Sequence, residues 1–410
     1  MAAVEDSHNR AIPEHVPREL VHSIGLTEGP EFLAAPHQFM AGLHDTHPPI
    51  FYSTSEHANN AWMLTKYDDV CHVLTHPKIF STQGATPFPR DPNDYFHMIP
   101  LEIDPPEHRK YRALIDPMLT RAAVGELQAS ISRLANHLID QFVARGGCEL
   151  TTEFARPLPV SVFLDLMGLP QSMRDTFVGW AVGLLHSQDR KVAQKCMHET
   201  VAYLRSVIEE KTKAPDGSLL SAIAHGRKDD APLTRQDIFG FTFFLFIAGL
   251  DTVFATLNNV FLWLARNPDR RQEIIAAPEQ IDRVVEELLR VFSVTFSGRT
   301  VMEDHQLGGV KLRKGDRVTC ILPAANYDPD AFETPKEVNF HRPRKPVLAF
   351  GGGVHSCMGA HLARLELRIC ISEFLRRIPD FRVADGVSIE YWPGGVVGPK
   401  TVPLSWRSPS

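Results

Sequence analysis

A single cysteine in a glycine-rich stretch has the surroundings expected of a metal ligand or a nucleophile. Cys357 follows three consecutive glycines in the sequence FGGGVHSCMG, residues 350–359. Three glycines favour a tight turn without side chains, which can lie close against a flat group. Met358–Arg376 carries an apolar stripe at helical spacing, so the cysteine is predicted to open a helix. Unpaired N–H groups and the helix dipole would then favour its thiolate, whereas the alternative is a buried structural cysteine.

An acid and a hydroxyl inside a long apolar segment form the second candidate for chemistry. Asp251 and Thr252 end the sequence AGLDT, residues 248–252. Buried polar groups of this kind cost free energy unless they are hydrogen-bonded or used. Gly249 lowers helix stability, but it lets a group approach closely or lets the helix bulge. The alternative is a kinked core helix in which Thr252 bonds back to the carbonyl of residue 248.

The segment that must position this pair is predicted to be one helix through the centre of the protein. Thr234 and Asp237 have the spacing of a capping box, and Asn267-Pro268 would end the helix. At 1.5 Å per residue such a helix is roughly 50 Å long. Its most apolar part, Ile238–Leu250, is shorter than the roughly 20 residues that span a membrane, which favours a buried helix.

Two further stretches carry charged residues at helical spacing. Asp104–Arg112 opens a predicted helix in which His108 and Arg112 lie four residues apart and face one way. Arg112 can bind a carboxylate with two hydrogen bonds, and a solvated basic helix start is the alternative. Glu287 and Arg290 lie three residues apart and predict a local ion pair, which is a weak signal on its own.

Strands are predicted in three places outside these helices. Residues 50–52 and 62–64 are predicted to pair as a hairpin at a sheet edge. Residues 310–318 are predicted to form a hairpin with its turn at Lys314-Gly315. Residues 392–406 are glycine-rich and expected to be extended, with a tip at residues 394–397 that reaches an internal pocket.

The composition is that of an ordinary soluble protein. The chain has 410 residues, 43% of them apolar and 22% charged, and its net charge of −6 argues against a general nucleic-acid-binding protein. Six scattered cysteines without CxxC spacing indicate a reducing compartment. The first residues predict neither a secretory signal nor a membrane anchor, so the cytoplasm is the expected location. A single domain over residues 1–410 is expected, with residues 1–30 as a loosely held arm.

The cysteine stretch resembles the haem-binding loop of the cytochrome P450 family, Phe-Gly-x-Gly-x-His-x-Cys-x-Gly. The resemblance extends over residues 62–406 and is greatest to the soluble bacterial class, in particular the camphor hydroxylase group. It implies a mainly α fold with a small β region and a long central helix over the haem. It also implies that Cys357 is the proximal ligand of the iron in haem b.

The resemblance implies roles for residues outside the loop as well. Asp251 and Thr252 would relay protons during oxygen activation, and Gly249 would lie where dioxygen binds. The haem contacts implied in this way are His108, Arg112, Arg299, His355, Gly249 and Phe350. The residues implied to hold the cysteine loop in place are Glu287, Arg290 and Arg342.

The implied activity is monooxygenation of a small apolar molecule. The residues implied to contact this substrate are Phe88, Phe96, Phe244, Ile247, Ala248, Thr295 and Val396. Phe96 stands where camphor hydroxylase has a tyrosine that hydrogen-bonds the camphor ketone, and that bond would be worth about 1 kcal/mol net. Its loss argues against camphor as the preferred substrate. We expect a terpenoid or norisoprenoid of camphor size or somewhat larger.

Electrons are expected from a 2Fe-2S ferredoxin that an NAD(P)H-dependent flavoprotein reduces, with O2 as co-substrate. Arg109, Lys110 and Arg112 would form a basic surface for this acidic donor. A monomer is expected, with neither nucleic acid nor membrane as a partner. Two alternatives stay open: a peroxide-driven peroxygenase, which the Asp251-Thr252 pair disfavours, and a non-catalytic haem-binding or sensing protein.

Overall fold

Helices account for most of the regular structure, so the predicted mainly α fold with a small β region is confirmed. The structure, a computed structural model, describes residues 12–54, 60–85, 96–187 and 189–407. The α-helices in these ranges are α1 Pro30–Ala34, α2 Pro36–Thr46, α3 Tyr67–Thr75, α4 Glu107–Ile115, α5 Arg121–Gly125, α6 Gln128–Asp140, α7 Pro157–Met167, α8 Arg174–Leu185, α9 Arg190–Lys213, α10 Leu219–Ala224, α11 Arg235–Arg266, α12 Pro268–Ala276, α13 Ile281–Val291, α14 Leu322–Ala325 and α15 Ala360–Arg377.

The strands are short and form one larger sheet and three small ones. In chain order they are β1 Val21–His22, β2 Ile50–Ser53, β3 Ala61–Leu64, β4 Phe80–Ser81, β5 Gly147–Glu149, β6 Arg227–Lys228, β7 Ala231–Pro232, β8 Ser297–Val301, β9 His305–Leu307, β10 Val310–Leu312, β11 Arg317–Cys320, β12 Arg382–Val383 and β13 Pro403–Ser405. The larger sheet has the order β1-β2-β3-β11-β8-β4. The small sheets are β9-β10, β5-β13-β12 and β6-β7.

The predicted hairpin of β2 and β3 forms, but its placement at a sheet edge is wrong. Ile50 lies opposite Leu64 in an antiparallel pair. β1 then pairs with the outer side of β2, and β11 pairs with the outer side of β3, both in parallel. Every residue of β2 and β3 is buried, which is the pattern of strands in the interior of a sheet.

The predicted hairpin over residues 310–318 is also wrong. β10 pairs instead with β9, across a turn at Gly308 and Gly309. Both glycines have positive φ, +54° and +84°, which is what a tight two-residue hairpin turn requires. Gly315 also has a positive φ, but there the chain turns into β11, which joins the larger sheet beside β8.

The long central helix is α11, and its predicted capping box is confirmed. Thr234 Oγ1 accepts a hydrogen bond from the Asp237 N–H, and an Asp237 carboxylate oxygen accepts one from the Thr234 N–H, both at 3.1 Å. The helix ends at Arg266, because Pro268 cannot continue it and begins α12 instead. α11 packs against α7, α8, α9, α10 and α15, which places it in the centre of the protein.

α11 is also the one helix in the described residues that is long and apolar enough to cross a membrane. Of its most apolar 18-residue window, 72% is buried inside the protein. Burial of this kind is expected for the core helix of a globular protein.

The prediction of a loosely held N-terminal arm is wrong for the part that the structure describes. Val16, Ile24 and Leu26 are buried, and β1 pairs in parallel with β2. Ile24 and Leu26 belong to an apolar cluster with Phe32, so burial of apolar side chains fixes this segment. Residues 1–11 lie outside the described ranges.

Candidate functional site

The loop before α15 holds Cys357 in a closely bonded turn. The Cys357 N–H donates to the Phe350 carbonyl at 2.9 Å, which closes the loop. Gly351 and Gly353 both have φ of +66°, a conformation that favours glycine. A Cβ on Gly353 would also collide with the backbone carbonyl of Leu74 in α3, so the glycine lets α3 lie against the loop. The sequence prediction of a tight glycine turn therefore agrees with the geometry.

Cys357 is an exposed residue, yet the electrostatic surroundings of its thiol differ from those predicted. Surrounding protein raises the pKa of the thiol through desolvation. A hydrogen bond from the Gly359 backbone and the charges of Arg112 and Arg364 oppose this increase in pKa without cancelling it. Since α15 begins only at Ala360, the cysteine lies before the helix rather than at its start, and the nearby hydrogen bond and charges do not suffice to favour the thiolate. A bound metal cation is what would favour it here.

Arg112 and His108 both face the cysteine loop from α4. Arg112 Nη1 donates to the carbonyl of Ser356 at 2.8 Å, and its Nε donates to Asp116 at 2.7 Å. The ring of His108 lies 4.2 Å from that of His355, between centroids. Burial is the main cause that lowers the pKa of His108 to about 4 and that of His355 to about 3. Both imidazoles are therefore neutral near pH 7 in these surroundings.

Arg299 on β8 completes this group of donors. Its side chain is 4% exposed, and Nη1 donates to Ser297 Oγ at 2.7 Å and to the Gly298 carbonyl at 2.6 Å. Neither acceptor carries a charge, and burial lowers the pKa of the guanidinium. A buried cation without an anionic hydrogen-bond partner is costly, so a negatively charged ligand would stabilise this region.

These groups fit a haem with its two carboxylates. Both ring nitrogens of His108 are buried without a hydrogen-bond partner. Arg112, Arg299 and His355 supply further donors suited to carboxylates. Phe350 lies under the Arg364 guanidinium, 4.5 Å from its ring centroid, at the base of the same loop. An exposed thiol framed by cationic and orphaned donors is the arrangement that a haem with a thiolate ligand needs.

One face of α11 has more accessible side chains than the rest of the helix. Phe244, Ile247, Ala248 and Thr252 are half-buried, whereas most of α11 around them is buried. Their spacing of three and four residues puts them on one side of the helix. Phe244 and Ile247 pack against the same apolar cluster as Met358, the neighbour of Cys357. This face of α11 therefore combines accessible side chains with an apolar cluster that the neighbour of Cys357 also contacts.

Thr252 makes the hydrogen bond to the helix backbone that is expected if its role is only structural. Its Oγ1 donates to the Ala248 carbonyl at 3.1 Å. α11 nevertheless continues as one α-helix through this turn. Thr252 is half-buried, which leaves its hydroxyl oxygen within reach of a ligand on the accessible face.

Gly249 lets another side chain approach α11 closely, which was one of the two predicted reasons for a glycine here. A Cβ at this position would lie 2.8 Å and 3.1 Å from two ring carbons of Phe163 on α7. The glycine is thus needed for close packing of α7 on α11. A role of Gly249 where dioxygen binds stays a prediction.

Asp251 has a partner that the sequence did not reveal. His186 Nε2 lies 2.8 Å from an Asp251 carboxylate oxygen, and both side chains are almost fully buried, 3% and 1% exposed. The His186 ring stacks on Trp392 at 4.9 Å between centroids. A buried aspartate needs a polar partner, but nothing in the sequence tells which of the 19 histidines supplies it.

The residues predicted to contact substrate lie in three regions. Phe244, Ile247 and Ala248 are on the accessible face of α11. Phe96 packs edge-on against Phe239 and Phe243, at centroid distances of 4.8 Å and 5.0 Å.

The third region joins two chain segments that are far apart in sequence. Thr295 forms an antiparallel β-bridge with Val396, so the predicted tip of the C-terminal segment meets the strand-like residues before β8. Both residues are half-buried. Phe88 lies outside the described residues.

The three residues predicted to hold the loop lie in one buried network. Arg290 donates to both carboxylate oxygens of Glu287, at 2.7 Å and 2.9 Å. Arg342 Nε lies 3.2 Å from each of the same oxygens. The Leu348 N–H, two residues before Phe350, is bonded to Asn326, whose carbonyl accepts from Arg290. The network is thereby connected to the start of the cysteine loop.

The predicted basic surface on α4 is only partly available. Lys110 pairs with Glu107 at 2.7 Å and with Asp229 at 2.5 Å, so two acids compensate its charge. Arg112 points to Ser356 and Asp116, while Arg109 is exposed.

Comparison with known proteins identifies the family. The family model "Cytochrome P450" matches residues 163–390. "Probable cytochrome P450 127A1" of Sinorhizobium fredii is 34% identical over 402 residues, which cover 96% of this chain and 97% of that protein. "Steroid C26-monooxygenase" of Mycolicibacterium smegmatis is 30% identical, covering 84% of this chain and 88% of that protein.

Solved structures agree with this result. The crystal structures of CYP101J2 and CYP101C1 match with TM-scores of 0.86 and 0.87, at 30% and 29% identity, and each comparison covers 97% of this chain and 100% of the other. They agree with the predicted likeness to the camphor hydroxylase group. Haem and dioxygen are the cofactor and co-substrate that such a fold implies. These matches agree with a cysteine thiol that is surrounded by donors suited to carboxylates. The chain therefore belongs to the cytochrome P450 family.

Proposed function

We propose that this P450 inserts one oxygen atom of O2 into a small apolar substrate of the terpenoid or norisoprenoid class, with electrons from a 2Fe-2S ferredoxin. The observation that carries the proposal is the half-buried face of α11, where Phe244, Ile247 and Ala248 adjoin Thr252. An apolar wall next to one acid–alcohol pair suits a substrate held mainly by shape.

Each side chain has a distinct task in this proposal. Haem, when bound, supplies the redox chemistry by which dioxygen is reduced. Cys357 would ligate its iron. The groups that would bind its carboxylates are Arg112, Arg299, His355 and His108. Asp251 would hold and transfer a proton, and the Thr252 hydroxyl would pass it to the dioxygen side. The apolar wall would exclude water, so that protons arrive only along this route.

The nature of the pocket supports an apolar substrate without fixing its size. Phe96 and Phe244 are aromatic and cannot hydrogen-bond a substrate, and Phe96 stands where the resemblance would place a tyrosine. Relatives vary in what they bind: one is a steroid C26-monooxygenase, and a structure of CYP109E1 from Bacillus megaterium, with a TM-score of 0.83, contains testosterone. Phe244 therefore becomes the residue by which substrate size can be tested.

The donor surface is proposed to lie on the outer side of α15 rather than on α4 alone. A cleft of about 610 Å³ lies there. Apart from the fully buried Arg290, the arginine and lysine residues that line it are Arg121, Arg283, Arg342, Arg344, Lys345, Arg364 and Arg368. Acidic residues in the same lining, such as Asp282 and Glu286, pair with some of them, which leaves a mixed surface that is suited to orienting an acidic protein.

The test starts from binding and ends with product. A panel of terpenoids and norisoprenoids is screened for the low-to-high-spin shift of the ferric haem, and each compound that gives it is incubated with NADH, a reductase, a 2Fe-2S ferredoxin and ¹⁸O2. We expect a product that contains one ¹⁸O atom. Equal rates with hydrogen peroxide alone would identify a peroxygenase, and no substrate-stimulated NADH consumption would identify a binding protein.

Two variants refine this test. Phe244→Leu should strengthen binding of bulkier substrates in the same spectral titration, while Phe246→Leu, at a fully buried position two residues on, should lower stability and leave the order of preference unchanged. Cys357→His should abolish the shifted Soret band of the reduced CO complex. Retention of that band would exclude Cys357 as the ligand.

A further inference from the structure

A buried polar cluster lies around Asp251, and we name it the His186 cluster. It consists of Asp251, His186, Trp392 and Arg156. His186 contacts Asp251 at 2.8 Å and stacks on Trp392. Arg156 is close enough for the Asp251 charge to raise the pKa of its guanidinium, although burial lowers that pKa more. The Arg156 guanidinium also lies 4.7 Å from the centroid of the Phe254 ring on α11.

Each of these four side chains has one buried polar atom without a hydrogen-bond partner. The atoms are Asp251 Oδ2, His186 Nδ1, Trp392 Nε1 and Arg156 Nε. Unpaired buried polar atoms are rare, and several near each other indicate ordered water. One acceptor, two donors and an imidazole nitrogen that can be either suit a short water chain.

The cluster leads from Asp251 towards the surface. Lys400 lies over the Trp392 ring, 5.3 Å from its centroid, and pairs with exposed Glu390 at 2.9 Å. The charged groups that face His186 and its neighbours are therefore Asp251, Arg156 and Lys400, with Glu149 behind Arg156. Among the four members of the cluster, His186 is the one that can accept a proton on one nitrogen while it donates from the other.

We propose that His186 conducts protons from solvent to Asp251. It would thus act through Asp251 and would not itself contact the substrate. A proton from solvent reaches Nδ1 along the water at the Trp392 side, and Nε2 gives its own proton to the Asp251 carboxylate. Asp251 then passes that proton on towards Thr252, and rotation of the imidazole ring brings a protonated nitrogen back to Asp251, which restores the first state of His186. No bond other than N–H and O–H bonds forms or breaks. This inference rests on the proposed function, because it assigns the outer part of the same proton path.

The pair also explains how the carboxylate is oriented. The His186 contact holds one Asp251 oxygen on the outer side, and the other oxygen has no partner. A carboxylate restrained in this way keeps its unpaired oxygen available for water or for transfer inward. An arginine or lysine at position 186 would hold the charge equally well, but it could not pass a proton at neutral pH as readily.

The variant His186→Gln distinguishes a residue that conducts protons from one that only holds the Asp251 carboxylate in place. Glutamine can keep a hydrogen bond to Asp251 but cannot relay a proton. The matched control is His198→Gln, at an exposed histidine on α9. In the holoenzyme we expect His186→Gln to keep the substrate-induced spin shift, while product per NADH falls about tenfold. This is less than the roughly 100-fold effect typical of a lost general acid, since water can substitute in part.

The solvent isotope effect on product formation should rise in His186→Gln as its coupling falls. His198→Gln should match the wild type in both. Unchanged coupling and an unchanged isotope effect in His186→Gln would overturn the proposal. A loss of the folded protein or of the spin shift would instead call for His186→Asn, which is judged by the same two criteria.

A second measurement needs no turnover and so stays informative if the proposed function fails. The ferrous CO holoenzyme is labelled with ¹⁵N-histidine, and the His186 ring resonances are assigned by their loss in His186→Gln. We expect Asp251→Asn to shift the Nε2 resonance, and we expect the ring N–H to exchange with D2O much faster than neighbouring α11 amides. Exchange as slow as in those amides would show that water does not reach His186, and would overturn the proposal.

Discussion

Arg112 Nη1 donates to the carbonyl of Ser356 at 2.8 Å, so α4 is tied directly to the residue before the cysteine. The same guanidinium bonds to Asp116 through Nε at 2.7 Å. Arg112 is therefore placed by two partners of the protein itself. A propionate that reaches this site would meet a donor that is already oriented, which lowers the entropy cost of binding.

We expect Arg112→Lys to weaken haem binding even though it keeps the positive charge. Lysine has no planar fork and cannot bond Ser356, Asp116 and a carboxylate at once. Hydrogen bonds to charged groups contribute roughly 1.5–3 kcal/mol, so haem loss to excess apomyoglobin should be about tenfold faster or more. Arg109→Lys, on the exposed side of the same helix, should lose haem at the wild-type rate. Equal rates in both variants would contradict the assigned role.

Two neighbouring glutamates allow a matched test of the buried network. Glu287 is 5% exposed and bonded to Arg290 and Arg342, whereas Glu286 is 43% exposed and pairs with Arg364. Removing one partner of a buried ion pair costs roughly 3–5 kcal/mol, and an exposed pair is worth about 0–1 kcal/mol. In urea unfolding followed by circular dichroism, Glu287→Gln should lower the unfolding free energy by several times more than Glu286→Gln. Similar losses would show that the network does not carry this stability.

Glu366 on α15 predicts a pH dependence of stability. Burial raises its pKa from 4.5 to about 8, and its Oε1 has no hydrogen-bond partner. Between these two values the folded state keeps the proton and the unfolded state loses it. The stability that the protonated group provides is thus complete below pH 4.5 and is lost as the pH rises to about 8, at up to about 1.4 kcal/mol per pH unit.

Glu366→Gln removes this titration. The variant should match the wild type near pH 5 and become the more stable protein towards pH 8, measured by urea unfolding at each pH. The control Glu279→Gln, at an exposed position, should follow the wild-type pH profile. An unchanged slope in Glu366→Gln would mean that the carboxyl ionises without cost in the folded protein.

Features that depend on local sequence were predicted well. The capping box at Thr234 and Asp237, the course of α11 and the tight glycine turn before Cys357 all follow from neighbouring residues. The contact of Arg342 with Glu287 agrees with the family pattern, although the two residues are 55 positions apart and no local sequence feature specifies their contact.

Features that depend on tertiary burial were missed. The raised pKa of the Cys357 thiol arises from surrounding protein, which outweighs the local backbone effect that the sequence suggested. A glycine is needed at position 249 because Phe163 on another helix packs against it. Asp251 has a polar contact with His186, which is 65 positions away in the sequence. Pairing choices among strands failed for the same reason, since Gly308-Gly309 and Lys314-Gly315 are both plausible turns and only the sheet as a whole decides between them.

A chemical role of Thr252 can be separated from its hydrogen bond within the helix by comparison with Thr256. Thr256, one turn on, makes the same type of bond to the carbonyl four residues before it, at 2.8 Å against 3.1 Å for Thr252. Thr252 lies on the accessible face of α11, whereas Thr256 is buried at 6% exposure. Alanine at either position removes one such bond, so the structural cost should be alike.

We therefore expect Thr252→Ala to release hydrogen peroxide in place of most of the product, because a proton is no longer delivered to the reduced dioxygen. Thr256→Ala should keep the wild-type ratio of product to NADH. Both ratios are measured with a substrate that gives the spin shift, together with the peroxide formed. If the two variants uncouple to the same extent, the Thr252 hydroxyl acts only within the helix, and the proton path must leave Asp251 by another route.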